Sequence, residues 1–416
     1  MRVAVIGAGM AGLSAAHELL RLGADPVVFE AAELAGGKVG SAREQGYVTE
    51  NGPHFFAGPL DALVAAAGLE GEVVNPQRPM TRWVHLGGRA LKAPSMPLLA
   101  RAGVFRALLE PLFARPPRDD QTLRDFLVSR FGRKAGGLAA AVMAAGVYAG
   151  DPEKLSARDA FPKLAMPGSI LRGAFRKRER RPLWALRAGV GSLPEALAQR
   201  LGGRVRLSTP VTSLQPSWTV NGEAFDAVLL AAPASVVARL ARPFAPRFAD
   251  ALGELVAWPV TLVHLGFPAD ALPRGFGAID ATGTLHATGT LLPSSMLPGR
   301  APQGKALATA VCSAKHAALP DAPLLDGVLG DLRKLWGVAR DPDYVRIVRH
   351  AEAIPQYAPG HAARVQNARA LLAAFPRVET AGAAWDGVSV PDVAGSGAAA
   401  AARLMASSAG AARPRA

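Results

Sequence analysis

Apolar residues near the start of the chain switch from strand-like to helix-like spacing and back again. Residues 3 to 6 are a short apolar run rich in β-branched side chains, and residues 10 to 22 carry apolar side chains at helical intervals. Residues 26 to 29 form a second short apolar run. The pattern predicts a strand, a helix and a second strand, which together make a βαβ unit.

Similar patterns return further along the chain. Residues 205 to 214 and 227 to 230 are strand-like, and we expect them to belong to the same sheet as the first unit. Strand-like runs also occur within residues 258 to 312, whereas residues 100 to 200 show mostly helical spacing. An alanine-rich helix is predicted to start near Gly395. This order of predicted strands and helices indicates a discontinuous nucleotide-binding domain with insertions.

Composition limits the class of protein. The chain has 416 residues, of which 50% are hydrophobic, so we expect two to three domains with large cores. The single cysteine, Cys312, excludes an intrachain disulfide and a cysteine-based metal cluster, and it favours a reducing, cytoplasmic location. The longest apolar stretch, residues 135 to 150, is too short to cross a bilayer, and residues 1 to 12 lack the pattern of a secretory leader.

Charge adds a preference for anionic partners. Lysine and arginine total 47 against 33 acidic residues, which gives a net charge of +14. Acidic lipid or a carboxylate substrate would suit that balance, but arginines spread over solvated surfaces are the favoured explanation. Nucleic acid is not expected, because only 6% of the residues are aromatic and no recognised binding motif accompanies the charge.

A glycine-rich turn follows the first predicted strand and opens the first predicted helix. Gly7, Gly9 and Gly12 have the GxGxxG spacing in which the glycines allow a tight turn, close approach to a pyrophosphate and close helix packing. Glu30 ends the second strand, where its carboxylate can accept hydrogen bonds from the ribose hydroxyls of adenosine. The pattern predicts a dinucleotide site that disfavours NADP.

A second glycine pair lies just after Glu30. The segment Gly36, Gly37 and Lys38 resembles the stretch that lies along the FAD pyrophosphate in glutathione-reductase-like and amine-oxidase flavoproteins. NAD dehydrogenases do not need such a segment. The resemblance therefore indicates FAD as the cofactor, with an ordinary glycine loop as the alternative.

Further motifs extend over nearly the whole chain. They lie at residues 50–55, 146–164, 187–202, 275–279, 289–302, 353–361 and 381–397. Together they resemble the protoporphyrinogen oxidase family, the porphyrinogen-oxidising branch of the amine-oxidase flavoproteins. The last motif departs from the family at residues 383 to 385, where Ala-Ala-Trp replaces the commoner Gly-Asn-aromatic, and at Ala394, where a larger residue is usual.

The resemblance implies an α/β fold with three regions. These are a Rossmann-like FAD-binding domain (1–78, 200–252 and 374–416), a sheet-based substrate domain (79–98 and 253–373) and an inserted helical region that docks on a membrane (99–199). Residues 100 to 115 fit the docking role, because six apolar residues recur at helical spacing beside arginines. Packing of that stripe on the protein core is the alternative, and Pro111 is expected to kink the helix.

The resemblance also implies site residues. For FAD, it adds the backbones of Val211, Val388 and Val390, together with Asp392, near the final helix. The N-terminal dipole of that helix would stabilise the reduced flavin. For the substrate, it implies Arg82 as the cation for a propionate, with Gly146, Ile279, Leu292, Met296 and Leu297 around the macrocycle. An ordinary surface arginine and ordinary core packing remain the alternatives for these residues.

The implied activity is oxidation of protoporphyrinogen IX to protoporphyrin IX in heme biosynthesis, with six electrons removed in three flavin turnovers. Dioxygen is the expected acceptor and hydrogen peroxide the expected product. We expect no catalytic side chain and no metal, and we predict that the eight histidines are structural or surface residues. Expected partners are a porphyrinogen, a membrane surface on the cytoplasmic face of the inner membrane, a ferrochelatase that receives the product, and a second copy of the chain.

Three rival activities remain open on the sequence. Oxidation of coproporphyrinogen III would use the same machinery on a substrate with four propionates instead of two. A desaturase or an amine oxidase would share the first fifty residues, although four tyrosines make an amine-oxidase aromatic cage hard to assemble. A non-catalytic FAD or heme carrier is the third alternative.

Overall fold

The computed structural model describes residues 1–98, 109–112, 115–166, 168–170 and 183–411. Within these ranges the strands, in chain order, are β1 Arg2–Ile6, β2 Asp25–Phe29, β3 Ser41–Glu44, β4 Tyr47–Glu50, β5 Phe56–Ala57, β6 Val73–Val74, β7 Arg82–Leu86, β8 Arg89–Ala93, β9 Leu183–Leu186, β10 Val205–Arg206, β11 Leu214–Gln215, β12 Thr219–Val220, β13 Glu223–Ala224, β14 Ala227–Leu230, β15 Ala257–Pro268, β16 Gly277–Asp280, β17 Gly289–Leu291, β18 Lys305–Ser313, β19 Tyr344–Pro355 and β20 Val378–Thr380. The α-helices are α1 Met10–Arg21, α2 Asp61–Ala67, α3 Leu123–Phe131, α4 Arg133–Tyr148, α5 Ser192–Leu201, α6 Ala234–Ala241, α7 Pro246–Gly253, α8 Pro293–Met296, α9 Asp321–Trp336, α10 His361–Leu372 and α11 Val390–Ala411.

A five-stranded parallel sheet is built from distant parts of the chain, in the order β10-β2-β1-β14-β20. Alternate residues of β1 point into two different cores, with Val3 and Val5 on one side and Ala4 and Ile6 on the other. Both faces are therefore covered, which explains why these strands are almost continuously apolar. The βαβ unit and the strand at 227–230 predicted from the sequence are confirmed.

The strand predicted at 205–214 is wrong in its middle. Only its ends are extended: β10 joins the parallel sheet, and β11 begins at Leu214 in a separate three-stranded antiparallel sheet. Between them Ser208 has a φ of +49°, in the left-handed region, and Pro210 has no N–H to donate to a neighbouring strand. The backbone therefore leaves the sheet between these ends.

A seven-stranded sheet has the order β19-β15-β18-β17-β16-β7-β8, and its pairings are antiparallel except for β16 with β7. One of its faces is sealed by α9. Val263, Leu265 and Phe267 on that face are fully buried with Leu324 and Val328 of the helix. The sheet therefore has one closed face and one face that turns toward the rest of the molecule.

Helices α3 and α4 form a separate small core that includes Leu123, Phe126 and Tyr148. Beside it, the buried side chains of Arg130 and Glu110 form an ion pair. Arg130 also donates to the carbonyl of Gly168 at 2.9 Å, and Glu110 accepts from the N–H of Ile170 at 3.1 Å. The pair therefore connects three stretches of the region predicted to be inserted.

The mostly helical prediction for residues 100 to 200 is incomplete. It missed strand β9, which pairs antiparallel with both β5 and β6. The apolar stripe predicted at 100–115 falls largely outside the described residues: Val104, Phe105, Leu108 and Phe113 of the stripe, together with Arg101 and Arg106 beside it, are not among them, and neither is the basic run at 176–181. Its described members, Leu109 and Leu112, are 51% and 75% exposed. In the part of the chain that the structure describes, no helix combines the length and the apolar character needed to cross a membrane.

The final helix begins earlier than predicted, at Val390 instead of Gly395. The Ser389 hydroxyl donates to the Asp392 carboxylate at 2.5 Å, and the N–H of Asp392 donates to the Ser389 hydroxyl at 3.3 Å. Ser389 is therefore the N-cap residue, because its hydroxyl accepts from an N–H of the first turn that would otherwise be unpaired. Capping at Ser389 therefore determines where the helix starts.

Candidate functional site

The turn between β1 and α1 requires glycine at two positions. Gly7 has a φ of +105°, and a Cβ at Gly12 would lie 1.9 Å from the carbonyl oxygen of Gly7. At Gly9, by contrast, no atom lies within 4 Å of the position that a Cβ would take. The N-terminal end of α1 has no side-chain cap. The turn therefore leaves open space next to helix N–H groups, which suits an anionic phosphate.

The second glycine segment lies directly beside this turn. The N–H of Gly36 donates to the carbonyl of Ala8 at 2.8 Å, and Gly36 forms a bridge with Gly9. A Cβ at Gly37 would be 3.5 Å from the Cα of Gly9. The two glycine segments that were predicted to bind one cofactor therefore lie together.

Glu30 occupies the end of β2 next to the same turn. Its carboxylate accepts from the N–H of Ala8 at 2.7 Å and from the N–H of Ala32 at 2.9 Å. The Thr209 N–H donates to the Glu30 carbonyl at 2.7 Å, which fixes the loop that carries Val211. The loop that carries Val211 is therefore joined to Glu30 through Thr209, although the side chain of Val211 is buried in the core.

The N-terminal end of α11 carries the other predicted FAD contacts. The Ser14 hydroxyl donates to the carbonyl of Ala394 at 2.8 Å, and a Cβ at Gly397 would lie 2.0 Å from the carbonyl oxygen of Ala11. Helix α11 therefore crosses α1 at close range. Val388 and Val390 are partly exposed beside its first turn, and Asp392 caps that turn.

These residues fit an FAD molecule. The glycine turn offers N–H groups and space to a pyrophosphate, Glu30 offers a carboxylate to a ribose, and the start of α11 offers a positive dipole end. Lys38 follows the second glycine pair, and burial lowers its pKa while the carboxylate of Glu352 opposes that shift. The roles of the individual residues remain predictions, but their placement is consistent with a single elongated cofactor.

The open face of the seven-stranded sheet lies opposite α4, and we call the region between them the slot. Register places six residues in one row across that face: Val84, Ile279, Gly289, Val311, Leu262 and Val348. Several of them are partly exposed in the middle of the sheet, whereas the opposite face is sealed. A Cβ at Gly146 of α4 would be 3.5 Å from the Cδ1 atom of Ile279. The predicted substrate residues Gly146 and Ile279 therefore face each other.

Arg82 lies on the same open face as Ile279, since Arg82 pairs with Gly277 and Val84 with Ile279. Its guanidinium carbon is 4.6 Å from the ring centroid of Phe276, and Phe276 stacks on Phe55 at 5.8 Å. These two phenylalanines were not predicted from the sequence as site residues. Their positions inside the motifs at 50–55 and 275–279 are the sequence feature that could have identified them.

The other three predicted substrate residues do not line this slot. Leu292 is 2% exposed and packs in the sealed core under α9. Met296 and Leu297 are at most 1% exposed and pack in the core that contains Val3 and Val5. Their burial favours the alternative that was left open for them, which is core packing.

Polar side chains occupy the β19 end of the open face. The Nε2 atom of His350 is 2.5 Å from the carbonyl oxygen of Asn51, and Arg346 donates to the side chain of Asn51 at 2.7 Å. A Cβ at Gly52 would lie 2.3 Å from the carbonyl oxygen of Lys38. This end of the slot therefore adjoins the loops of the candidate cofactor site.

A buried polar cluster supports those loops from behind. The carboxylate of Glu50 pairs with the guanidinium of Arg300 at 3.1 Å, and both side chains are at most 1% exposed. Burial lowers the pKa of His54 to about 3 and keeps the pKa of His264 well below its usual value. Both histidines are therefore neutral at physiological pH, which agrees with a structural role.

Comparison with known proteins gives one family match over most of the chain. The family described as flavin containing amine oxidoreductase matches residues 10–405. Among individual relatives, a protoporphyrinogen oxidase of Bos taurus is 30% identical over 97% of this chain and 98% of its own. A coproporphyrinogen III oxidase of Bacillus subtilis is 28% identical over 94% of this chain and 95% of its own. A crystal structure from Exiguobacterium sp. 255-15 is 25% identical, with a TM-score of 0.82 over 97% of this chain and 98% of its own.

Proposed function

The chain belongs to the flavin containing amine oxidoreductase family and is an FAD-dependent oxidoreductase, and on that basis we propose that it oxidises protoporphyrinogen IX to protoporphyrin IX. The protoporphyrinogen oxidase of Bos taurus aligns with almost the whole of both chains. FAD, when bound, supplies the hydride acceptor for the reaction. The remaining requirements, which are to bind and orient a large apolar diacid, belong to the side chains of this chain.

The observation that carries the proposal is the slot with Arg82 at its side. A porphyrinogen has a broad apolar ring system and anionic propionates. The row from Val84 to Val348 offers an apolar wall, and α4 lies over it through the contact between Gly146 and Ile279. Arg82 offers an exposed cation on the Phe276 ring. Such a combination matches a macrocycle whose charge is confined to one edge.

We assign FAD to the two glycine segments, Glu30 and the start of α11. The residues proposed to hold it are Gly7, Gly9, Gly12, Glu30, Gly36, Gly37, Lys38, Val211, Val388, Val390 and Asp392. The contacts with Ser389 support a narrower role for Asp392, because its carboxylate already accepts from the Ser389 hydroxyl and its N–H donates to that hydroxyl. We propose that Asp392 orients the helix end instead of contacting the flavin.

The second candidate substrate is coproporphyrinogen III. The relative in Bacillus subtilis carries that name, and this substrate has propionates on more than one edge. Lys38 and Arg346 lie at the end of the open face away from Arg82, where they could face a second propionate edge. Each is already engaged, however: Arg346 with Asn51, and Lys38 electrostatically with Glu352.

A direct assay separates these candidates. The purified yellow protein is incubated in air with protoporphyrinogen or coproporphyrinogen, and the rise in porphyrin fluorescence is followed beside an oxygen electrode. We expect faster oxidation of protoporphyrinogen, with dioxygen consumed and hydrogen peroxide formed. Preference for coproporphyrinogen would support the second candidate, and no enzyme-dependent rise with either substrate would disprove both.

We also propose the three-region division given above, with the inserted region docking on a membrane. More than half of the surface is exposed at Leu109, Leu112 and Met166. Leu109 and Leu112 are close in sequence to Glu110, which pairs with Arg130. Met166 is close in sequence to Gly168, whose carbonyl accepts from Arg130, and to Ile170, whose N–H donates to Glu110. Exposed apolar side chains of this kind suit insertion at a lipid surface. Sedimentation with anionic vesicles tests this, and replacement of Leu109 and Leu112 by serine is expected to weaken the binding.

A further inference from the structure

This inference rests on the proposed function and concerns where the protons go. A porphyrinogen that gives up a hydride from a bridging carbon must also lose a proton to become conjugated. Each two-electron step therefore transfers one hydride, with its electron pair, to FAD and releases one proton that needs an acceptor. Over three steps the four bridging carbons lose four hydrogens and the pyrrole nitrogens lose two, so two of the three protons come from N–H groups and the third comes from a bridging carbon. Three steps release three protons inside a slot that is mostly apolar.

His350 stands where such an acceptor is required. It lies on the open face of the sheet, because it pairs with Val260 in the register that pairs Val348 with Leu262. It is partly exposed. Its neighbour Asn51 belongs to the motif that packs against the second glycine segment through Gly52 and Lys38. His350 therefore borders both the slot and the candidate cofactor site.

The hydrogen bond to Asn51 determines which nitrogen of His350 is free. A backbone carbonyl oxygen can only accept, so the Nε2 atom at 2.5 Å must carry the hydrogen. In the neutral ring the lone pair then lies on Nδ1. A histidine held in one tautomer by a backbone carbonyl is suited to act as a base through its other nitrogen.

The other polar groups around His350 are less suited to take a proton. His264 on β15 and His54 are fully buried or nearly so, at 0% and 5% exposure. Arg346 is a permanent cation that donates to Thr49 and Asn51. Lys38 and Glu352 attract each other electrostatically. The Glu352 carboxylate also accepts from the hydroxyl of Ser235 at 2.8 Å.

We propose that His350 accepts, on Nδ1, the proton that the substrate loses in each two-electron step, and releases it to water before the next. The hydride and its electron pair leave to FAD, so each step removes two hydrogens and two electrons from the substrate. This assigns a catalytic base to a chain in which none was expected from the sequence.

The test compares two substitutions of His350. His350→Gln keeps a side-chain N–H for the Asn51 carbonyl but removes the base, and His350→Ala leaves space for an added base. Both variants are expected to oxidise protoporphyrinogen about 100-fold more slowly than the wild type, with FAD content and melting temperature retained for His350→Gln. Added imidazole is expected to restore part of the activity of His350→Ala but not of the wild type. His17→Gln on α1 is the matched control and is expected to behave as the wild type.

The outcomes distinguish failure of the proposed function from failure of the role of His350. Wild-type protein that oxidises neither porphyrinogen overturns the proposed function itself. If the wild type is active, a rate for His350→Gln within threefold of it overturns the role of His350 alone. Slow turnover accompanied by loss of FAD, without imidazole rescue, would show that His350 only supports the Asn51 loop and would equally overturn the proposal.

Discussion

Arg82 is an exposed cation whose position depends on an aromatic neighbour. Its guanidinium lies 4.6 Å from the Phe276 ring, and that ring stacks on Phe55. Arginine on an aromatic face keeps its hydrogen-bond donors available at the edge, where they can bind a carboxylate in a bidentate manner. The aromatic pair therefore gives the cation a fixed orientation before the substrate binds.

Replacing Arg82 by alanine is expected to raise the KM for protoporphyrinogen about 10- to 100-fold, because a hydrogen bond to a charged group contributes roughly 1.5–3 kcal/mol. FAD content should not change. Arg89→Ala, on the paired strand of the same hairpin, removes an exposed arginine away from Phe276 and serves as the control. An unchanged KM, or flavin loss in Arg82→Ala, would contradict the assignment.

At the scale of elements, the packing of α1 depends on a glycine that no larger residue can replace. A Cβ at Gly12 would meet the carbonyl oxygen of Gly7 at 1.9 Å, and a backbone atom in a tight turn cannot move aside cheaply. The same helix is crossed by α11 at Ala11 and Gly397. Displacement of α1 would therefore disturb both ends of the proposed cofactor site.

Gly12→Ala is expected to abolish FAD binding, because the helix must shift away from the turn that holds the pyrophosphate. Flavin absorbance of the purified protein measures this. Gly330→Ala provides the control: it also lies within a helix, and no atom lies within 4 Å of the added Cβ. Its flavin content should match the wild type, and a fully flavinated Gly12→Ala protein would refute the packing argument.

Elements were predictable from sequence where local spacing and a turn motif agree. The βαβ unit is such a case, since its apolar periods and its glycines give the same boundaries. Strand β9 could not be found in this way, because its four residues pair with strands more than a hundred residues away. The start of α11 was readable from Ser389 as an N-cap residue with an acidic residue three positions later, but the glycines near 395 placed the predicted boundary too late.

At the scale of the whole molecule, the slot results from register between distant strands. Val84 and Ile279 become neighbours only because β7 pairs with β16. Local spacing cannot predict such a pairing, so Arg82, Gly146 and Ile279 were reached through family resemblance. The same resemblance assigned Leu292, Met296 and Leu297 to the slot, but these three residues are buried in cores. The family resemblance identified the segments around the slot. Packing determines which of their side chains are accessible there.

Stability of the whole molecule is expected to depend on neutral histidines. Burial lowers the pKa of His361 to about 4 and of His54 to about 3. Unfolded histidine has a pKa of about 6.5, so the unfolded chain binds more protons below that value. The free energy of unfolding should therefore fall as the pH drops from about 6.5 to 4, by up to roughly 1.4 kcal/mol per pH unit for each such histidine.

Urea unfolding at pH 7, 6 and 5 measures this slope. His361→Gln retains an N–H for the carbonyl of Ala384, which His361 contacts at 3.1 Å, but it does not titrate. The variant should therefore show a shallower decline than the wild type. Equal slopes in the two proteins would mean that His361 does not contribute to acid sensitivity.

The pairing of β19 with β15 also limits how relatives of this chain can diverge. Successive residues of a strand point to opposite faces, so inserting or deleting one residue in β19 would exchange Arg346, Val348 and His350 for Val345, Ile347 and Arg349 on the open face. The slot would lose its histidine and Arg346 in one event. Length changes during evolution should therefore collect in the loops that flank β19, and any change within the strand should come in pairs of residues.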